Sequence, residues 1–282
     1  LVPNYNMNFD IFYENNAESL FEYQANSSVG NVNPFLQSDD FAAIGEIGFY
    51  LGMFQRIPSW VGERFMVGTQ SLYDAYTPED PRRGHVFIAN PTFGGQNTNI
   101  AKYVKRLAPN SGEWPTNPAP TTAYAQGNNG RNNGIHVNNP RILRLADVML
   151  LKAEAIVRSG GNLSTAIDLI NDVRERARKS GGESPNDPVV EALEPADRTA
   201  SADANEVLEW IFAERRLELA MEEGHRWWDL RRRHLAGEID LTTWDFSSAI
   251  PADTEFKDFN INFPLPDGEV IENPNLNQNT GY

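Results

Sequence analysis

Apolar residues recur at intervals of three and four from Arg141 to Arg178, which is the period of an α-helix. One helix is predicted over 141–157, with an apolar face made of Ile142, Ala146, Met149, Ala153 and Val157. The turn at 159–162 ends it and begins a second helix, whose face carries Leu163, Ala166, Ile167, Ile170, Val173 and Ala177. Because so short a link leaves no room for a crossover, the two helices are predicted to form an antiparallel hairpin.

The same period predicts two further helices, from about Asn205 to Glu223 and from about His225 to Leu235. Two consecutive hairpins with small residues at their contacts suggest packing of the tetratricopeptide kind, although the match to that repeat's consensus is loose. Each repeat of such an array needs neighbours to cover its apolar face. We therefore expect the helix pair over 142–178 to contact another chain or the region 1–140.

The remainder of the chain lacks helical periodicity. The residue pattern predicts strand and turn in 1–30, and short helices and strands between Pro and Gly in 31–106. Residues 108–140 are rich in Pro, Asn and Gly, and a loop of this length is usually functional or disordered. The pattern divides the chain into a loop-rich, ligand-facing region, a helical region and an irregular tail, at 1–140, 141–236 and 237–282.

Composition excludes several kinds of chemistry. The 282 residues include no cysteine, which excludes thiolate metal sites, cysteine nucleophiles and disulfides. The formal net charge of -15 repels nucleic acid and anionic head groups and favours neutral or cationic ligands. No apolar run approaches the roughly 18 residues of a membrane-spanning helix, and no signal peptide is visible. Because the chain begins without an initiator Met, we interpret it as a fragment or a processed product.

Charged residues interrupt the apolar surface of the third predicted helix. Glu214 and Arg215 fall on its apolar stripes, and Glu214, Glu218 and Glu222 follow one another at intervals of four. Two carboxylates on one face could serve a glycosidase as acid and base. A general acid, however, needs a carboxyl group far from cations, and arginines stand at helical spacing from these. We interpret five residues as a mostly buried structural ion-pair network: Glu214, Arg215, Glu218, Arg226 and Asp229.

Other motifs indicate no catalytic or metal centre. The four histidines show no metal-ligand spacing, and no nucleophile elbow, P-loop, dinucleotide fingerprint or EF-hand loop is present. No cofactor is therefore predicted. The acidic turns SDD and TPEDPRR could hold a structural calcium ion, although such turns are usually only solvated. Trp227 and Trp228 are predicted to pack in the core, because tryptophan is strongly buried on average.

Several motifs, in order, resemble the C-terminal half of the SusD/RagB family. They are RILRLADVMLLKAEAIVRSGGNLSTAIDLINDVRERAR, WIFAERRLELAMEEGHRWWDLRR and the terminal FPLPDGEVIENPNLNQNTGY. NNAESLFEYQ and DPRRGHVF also fit, so the resemblance covers most of the chain. Asp147 stands where the family usually has glutamate. Family members are much longer, so we expect that the N-terminal half of one SusD-like domain, with its lipidated cysteine, is absent here.

The resemblance implies a mainly α fold in which tetratricopeptide-like helical hairpins pack against a loop-rich region with short strands. It implies a non-catalytic lipoprotein on the extracellular face of the outer membrane in Bacteroidetes. Such a protein binds an oligosaccharide and delivers it to a SusC-like TonB-dependent transporter. It is expected to bind no nucleic acid and to contact the membrane only through a lipid anchor outside this chain. A peptide-binding member, a tetratricopeptide-type interaction scaffold and a glycoside hydrolase are the alternatives.

Ligand binding in this family is expected on irregular loops. Aromatic faces stack on the C–H surfaces of pyranose rings, while amide, carboxylate and guanidinium groups pair with sugar hydroxyls. By that chemistry the candidate ligand-binding residues are Trp60, Tyr73, Tyr76, Trp114, Tyr124 and Arg131. We expect one aromatic residue of the 108–140 loop, together with Trp60, Tyr73 or Tyr76, to border an exposed concave site for a neutral sugar.

Overall fold

The structure of the protein is a computed structural model, and it describes residues 1–10, 13–24, 68–88, 99–100, 139–181, 191–246 and 255–282. The chain divides into two compact units, Leu1–Glu223 and Gly224–Tyr282. The boundary between these units falls inside the helical region 141–236 that the sequence pattern delimits. No helix in the described ranges is long and apolar enough to cross a membrane.

The first unit is mainly helical with short strands, which is the fold class that the resemblance implies. Its helices are α1 (Gln70–Ala75), α2 (Pro81–Val86), α3 (Leu145–Arg158), α4 (Leu163–Arg178) and α5 (Ala204–Glu218). Its strands are β1 (Ser19–Glu22), β2 (Phe87–Ile88), β3 (Asn99–Ile100) and β4 (Arg141–Arg144). Antiparallel pairing of β1 with β4, and of β2 with β3, gives two two-stranded sheets. A short 3₁₀ helix spans Tyr5–Phe9.

The second unit begins at Gly224, whose φ of 81° is a left-handed conformation that favours glycine. Its helices are α6 (His225–Leu235) and α7 (Asp267–Glu272), and 3₁₀ turns span Leu241–Thr243 and Asp258–Ile261. The start and end that the sequence predicts for α6 are confirmed.

The helical hairpin of α3 and α4 forms the centre of the first unit, with α5 packed on both helices. Asn162 caps α4 by accepting a hydrogen bond from the backbone N–H of Ser164 at 2.9 Å. Leu1 packs against the same core, so the predicted contact between the helix pair and the region 1–140 is confirmed there. The buried residues of this core are Ala146, Leu150, Ala153, Val157, Ala166, Ile167, Ile170, Val173, Val207 and Ile211.

Two predicted helix ends are wrong. The chain from Arg141 to Arg144 is a strand, because β1 offers it an antiparallel partner, and the helix starts only at Leu145. Helix α5 ends at Glu218 instead of Glu223, and Met221 beyond it has a left-handed φ of 58°. Local periodicity continues through both boundaries, so it could not reveal the distant strand or the backbone reversal.

The C-terminal end of α5 is buried, and side chains from other segments satisfy its carbonyl groups. The last carbonyls of a helix have no partner within the helix. The hydroxyl of Tyr76 donates to the carbonyl of Leu217 at 2.7 Å, and the hydroxyl of Tyr5 donates to that of Glu218 at 3.0 Å. A second core cluster surrounds this helix end and comprises Tyr5, Phe9, Tyr76, Val86, Phe87, Leu217 and Ala220.

Candidate functional site

A buried network of arginines and carboxylates lies beside this second core cluster. It draws together residues from the N-terminal segment, α2, β4, α4, α5 and the turn after α5. We call it the ion-pair network, and it includes Glu18, Asp80, Arg82, Arg144, Arg174, Arg176, Glu214, Glu218 and Glu222.

Glu218 is the most heavily paired carboxylate of the network, and its side chain has no solvent exposure. It accepts hydrogen bonds from Arg144 Nη1 at 2.6 Å, from Arg82 Nη1 at 3.0 Å and from Arg176 Nη2. Burial alone would raise the pKa of Glu218, but the charges of the three arginines outweigh it and hold that pKa well below its usual value.

The carboxylates of Glu214 and Glu18 are paired in the same way. Glu214 accepts from Arg82 Nη1 at 2.6 Å and from Arg174 Nη1 at 2.7 Å. Glu18 accepts from Arg144 Nη1 at 2.8 Å and from Arg176 Nη1 at 2.7 Å. Burial raises the pKa of Glu18, but Arg176 and Arg144 lower it by more. A general acid at neutral pH needs a raised pKa, so Glu18 and Glu218 do not suit that role.

The structure shows ion-pair partners for four of the five residues predicted as an ion-pair network. Glu214 and Glu218 lie together in the ion-pair network. Arg215 is buried on the same helix but pairs with Asp147 at 2.6 Å. Arg226 and Asp229 belong to the second unit, where Asp229 pairs with Arg232 at 2.8 Å.

The sequence reasoning missed the arginines that pair with Glu214 and Glu218. These are Arg82, Arg144, Arg174 and Arg176, which lie 40 to 136 residues away from their carboxylate partners in the chain. Helical spacing detects only neighbours on one helix. The available signal was that Arg174 and Arg176 stand beside Val173 and Ala177, within the apolar pattern of α4.

A surface pocket with a volume of about 330 Å³ lies beside Tyr73, between α1 and α2. Thr69 caps α1 by accepting from the N–H of Leu72 at 3.1 Å, and Asp80 caps α2 by accepting from the N–H of Arg82 at 3.0 Å. This pocket is called the Tyr73 pocket, and its walls are formed by Tyr73, Pro78, Glu79, Asp80, Pro81, Arg83, Gly84 and Phe87.

The Tyr73 pocket combines an aromatic ring, a cation and an exposed carboxylate. The guanidinium of Arg83 lies 5.0 Å from the ring centroid of Tyr73 and donates from Nη2 to the carbonyl of Pro78 at 2.9 Å. Phe87 meets the Tyr73 ring edge to face at 5.3 Å. Glu79 is exposed and offers acceptor oxygens. A ring for stacking with a donor and an acceptor beside it is the chemistry that a sugar needs.

Asp80 also borders the pocket, but its carboxylate is engaged. Its Oδ1 accepts from Arg82 Nε at 3.1 Å, and its Oδ2 accepts from Arg82 Nη2 at 2.8 Å. The only buried acidic group of the TPEDPRR turn is therefore an internal partner of Arg82, which weakens the case for a calcium ion at this turn. The SDD turn lies outside the described residues.

The structure describes two of the six candidate ligand-binding residues, and it places them differently. Tyr73 lines the pocket, and its role in binding stays a prediction. Tyr76 is only 2% exposed and bonds to the end of α5, so the structure corrects its role to that of a core residue. The other candidates lie outside the described residues and stay predictions: Trp60, Trp114, Tyr124 and Arg131. Sequence reasoning missed Arg83 and Phe87, although the DPRRGHVF motif contains both.

The two tryptophans of α6 differ in their burial. Trp227 is partly buried and packs near Phe256 and Phe263, with ring centroids 6.3 and 6.2 Å away. Trp228 is 56% exposed, so the prediction that it packs in the core is wrong. Trp228 follows Trp227 by one residue, and this step on the helix turns its side chain away from the apolar face that Trp227 occupies.

Comparison with known proteins gives consistent matches. A sequence model of the SusD family matches residues 90–282. SusD-like protein P2 of Formosa agariphila is 27% identical over 298 residues, covering 100% of this chain and 54% of the relative. SusD-like protein P38 of the same organism is 37% identical over 141 residues, covering 50% of this chain and 24% of the relative.

Solved structures match over almost the whole chain. Surface glycan-binding protein A from Bacteroides thetaiotaomicron superposes with a TM-score of 0.66 at 21% identity, covering 99% of this chain and 55% of that one. A structure of surface glycan-binding protein A from the same organism in complex with laminarihexaose superposes with a TM-score of 0.63 at 21% identity, with the same coverage. This likeness shows the fold. The chain spans about half the length of SusD-like protein P2 and of these structures.

Proposed function

The chain belongs to the SusD family, and from that premise we propose that this protein is a non-catalytic lipoprotein that binds an oligosaccharide at the cell surface. It delivers the sugar to a SusC-like TonB-dependent transporter on the extracellular face of the outer membrane. The observation that carries the proposal is the fold shared with surface glycan-binding protein A, of which one structure holds laminarihexaose.

The Tyr73 pocket supports this proposal from within the chain. It offers a ring for stacking, the donors of Arg83 and the acceptors of Glu79 in a volume of about 330 Å³. That volume lies at the lower end of the range for small-molecule pockets, so we assign it to a short stretch of the sugar chain. The candidate residues of the 108–140 loop and Trp60 remain proposed contacts for the rest of the ligand.

A glycosidase is a weaker interpretation of the same residues. It needs two carboxyl groups facing each other across an open cleft, one of them with a raised pKa. In the Tyr73 pocket Glu79 is exposed, but Asp80 is buried and held by Arg82. The carboxylates of α5 that share one helical face, Glu214 and Glu218, have no solvent exposure and face arginines.

Isothermal titration with neutral oligosaccharides, laminarihexaose among them, tests the proposal. The Tyr73→Ala variant should bind about 5- to 150-fold more weakly, which is the range for one stacked aromatic ring by analogy with base stacking. Tyr23→Ala is the matched control, because Tyr23 is 42% exposed and does not line the pocket. Its affinity should equal that of the wild type.

The dependence on salt identifies the class of ligand. A neutral sugar releases no counterions, so its affinity should change little between low and high salt. A steep fall in affinity with salt would indicate a charged ligand. Equal affinity of wild type and Tyr73→Ala would remove the pocket from the binding site, and binding of peptides in place of all sugars tested would contradict the glycan assignment.

A further inference from the structure

Helix α2 carries a glycine that its backbone conformation does not require. Gly84 is the fourth of the six residues of this helix, a position at which glycine is less favourable than alanine. The φ angle of Gly84 lies outside the left-handed region that favours glycine. An alanine would therefore suit the helix better than the residue that is present.

Packing within the described part of the chain does not require this glycine either. Apart from its chain neighbours and the backbone of its own helix, no atom of the described residues lies within 4 Å of the place that a Cβ atom of Gly84 would take. Gly161 shows the contrast, because a Cβ atom there would lie 3.0 Å from the carbonyl oxygen of Ile156. At Gly84 the space for a side chain is open.

That open space belongs to the Tyr73 pocket. Gly84 is exposed and lines the pocket together with Tyr73 and Arg83. A residue without a side chain presents its peptide backbone to the pocket, and this is one of the places where glycine serves, since it lets a ligand approach the backbone closely. The glycine thus enlarges the pocket on the side of α2, although it makes the helix less stable.

Buried contacts on both sides of Gly84 hold its backbone in place. Arg82, two residues earlier, is fully buried and pairs with three carboxylates of the ion-pair network. His85, the next residue, is buried as well, and its Nε2 lies 2.6 Å from the carbonyl oxygen of Ser180. Because these contacts resist an outward shift of α2, a side chain at position 84 would take its volume from the pocket.

We infer that Gly84 is a specificity-determining ligand contact of the Tyr73 pocket, in which a sugar that lies against Tyr73 rests on the bare backbone of α2. This inference rests on the proposed function, because it takes the ligand of the pocket to be an oligosaccharide. The glycine sets how large a sugar substituent the pocket admits on the side of α2, and any side chain at this position narrows that space.

Isothermal titration of the full-length protein tests this contact. The probe is the neutral oligosaccharide that the wild type binds most tightly in a panel that includes laminarihexaose. Gly84→Ala should bind this probe about 5-fold more weakly and Gly84→Leu up to about 150-fold more weakly, which are the limits expected for overpacking. The melting temperature of Gly84→Ala should instead rise by about 1–4 °C, because alanine favours the helix. A partly unfolded variant cannot combine weaker binding with higher stability.

The matched controls are Gly268→Ala and Gly268→Leu. Gly268 is exposed in α7, which also has six residues, and a Cβ atom there would likewise meet no atom of the described residues within 4 Å, chain neighbours and the helix backbone aside. Gly268 does not line the Tyr73 pocket. Both control variants should bind the probe within about twofold of the wild type, as expected for surface substitutions.

The outcomes separate this contact from the proposed function. If Tyr73→Ala weakens binding while both Gly84 variants bind like the wild type, the contact is refuted and the sugar site is retained. A lower melting temperature of Gly84→Ala would show that Gly84 packs against another part of the full-length protein, and this also refutes the contact. Equal losses of affinity in the Gly84 and Gly268 variants refute it too. A wild type that binds no oligosaccharide of the panel refutes both proposals.

Discussion

Replacing Glu218 by glutamine is the sharpest test of the ion-pair network. The substitution keeps the size of the side chain and removes its charge. In the wild type, three arginines contact this carboxylate: Arg82, Arg144 and Arg176. The amide leaves these cations with one fewer partner, and its NH₂ group brings a donor against guanidinium donors.

The expected loss follows from the burial of the pairs. Removing one partner of a buried ion pair costs about 3–5 kcal/mol, because the remaining charge stays desolvated. For a unit of this size, that loss lowers the melting temperature by about 6–20 °C. The control is Glu191→Gln, which makes the same chemical change in a side chain that is 54% exposed and 3.6 Å from Arg178. A surface pair of that kind contributes about 0–1 kcal/mol.

Urea unfolding followed by circular dichroism gives the free energy of unfolding of both variants. Glu218→Gln should unfold at a clearly lower urea concentration than Glu191→Gln, with little change in the slope of the transition. If Glu218→Gln lay within about 1 kcal/mol of the wild type, the three arginines would not depend on this charge, and the structural role assigned to the network would be refuted.

Two further predictions follow from the same contacts. Folding lowers the pKa of Glu218 and Glu18 from 4.5, so the stability that their charges contribute should be fully present above about pH 5. That contribution should be lost as the pH falls through 4.5 towards the folded-state pKa values, and the difference in stability between wild type and Glu218→Gln should narrow in acid. A difference that does not depend on pH would contradict this. Tyr76→Phe should cost about 1–3 kcal/mol in urea unfolding, because the buried carbonyl of Leu217 loses its donor, with sugar affinity unchanged. The exposed control Tyr23→Phe should cost almost nothing, and a loss of sugar binding in Tyr76→Phe would return Tyr76 to the ligand site.

Long periodic helices and their burial could be read from the sequence because both depend on neighbours within one element. The apolar spacing from Leu163 to Arg178 gives α4 with its observed bounds. The interruption of the apolar stripes by Glu214 and Arg215 correctly indicated charges inside the protein. What local spacing could not supply was the source of the compensating cations, since Arg82 precedes Glu214 by 132 residues.

The role of Tyr76 shows a second limit of sequence reasoning. Its polar neighbours, Asp74 and Thr77, indicate a loop at the surface. The decisive partner is a carbonyl at the end of α5, and an unsatisfied helix end is visible only once the tertiary fold brings it to a tyrosine hydroxyl. Tyr73, three residues earlier, has similar neighbours but lines a pocket. The sequence therefore indicated a segment that borders a pocket, without distinguishing its buried ring from its accessible one.

Helix α2 connects the ion-pair network to the Tyr73 pocket. Arg82 is fully buried and held by Asp80, Glu214 and Glu218. Arg83, the next residue, lies over the ring of Tyr73 at the pocket wall. Because several carboxylates fix Arg82, the backbone that carries Arg83 is fixed as well, so little conformational freedom is left to lose when a ligand binds. If the Tyr73 pocket binds sugar as proposed, the charged motif on α5 would serve binding without touching the ligand, by holding in place the short helix whose Arg83 lines the pocket.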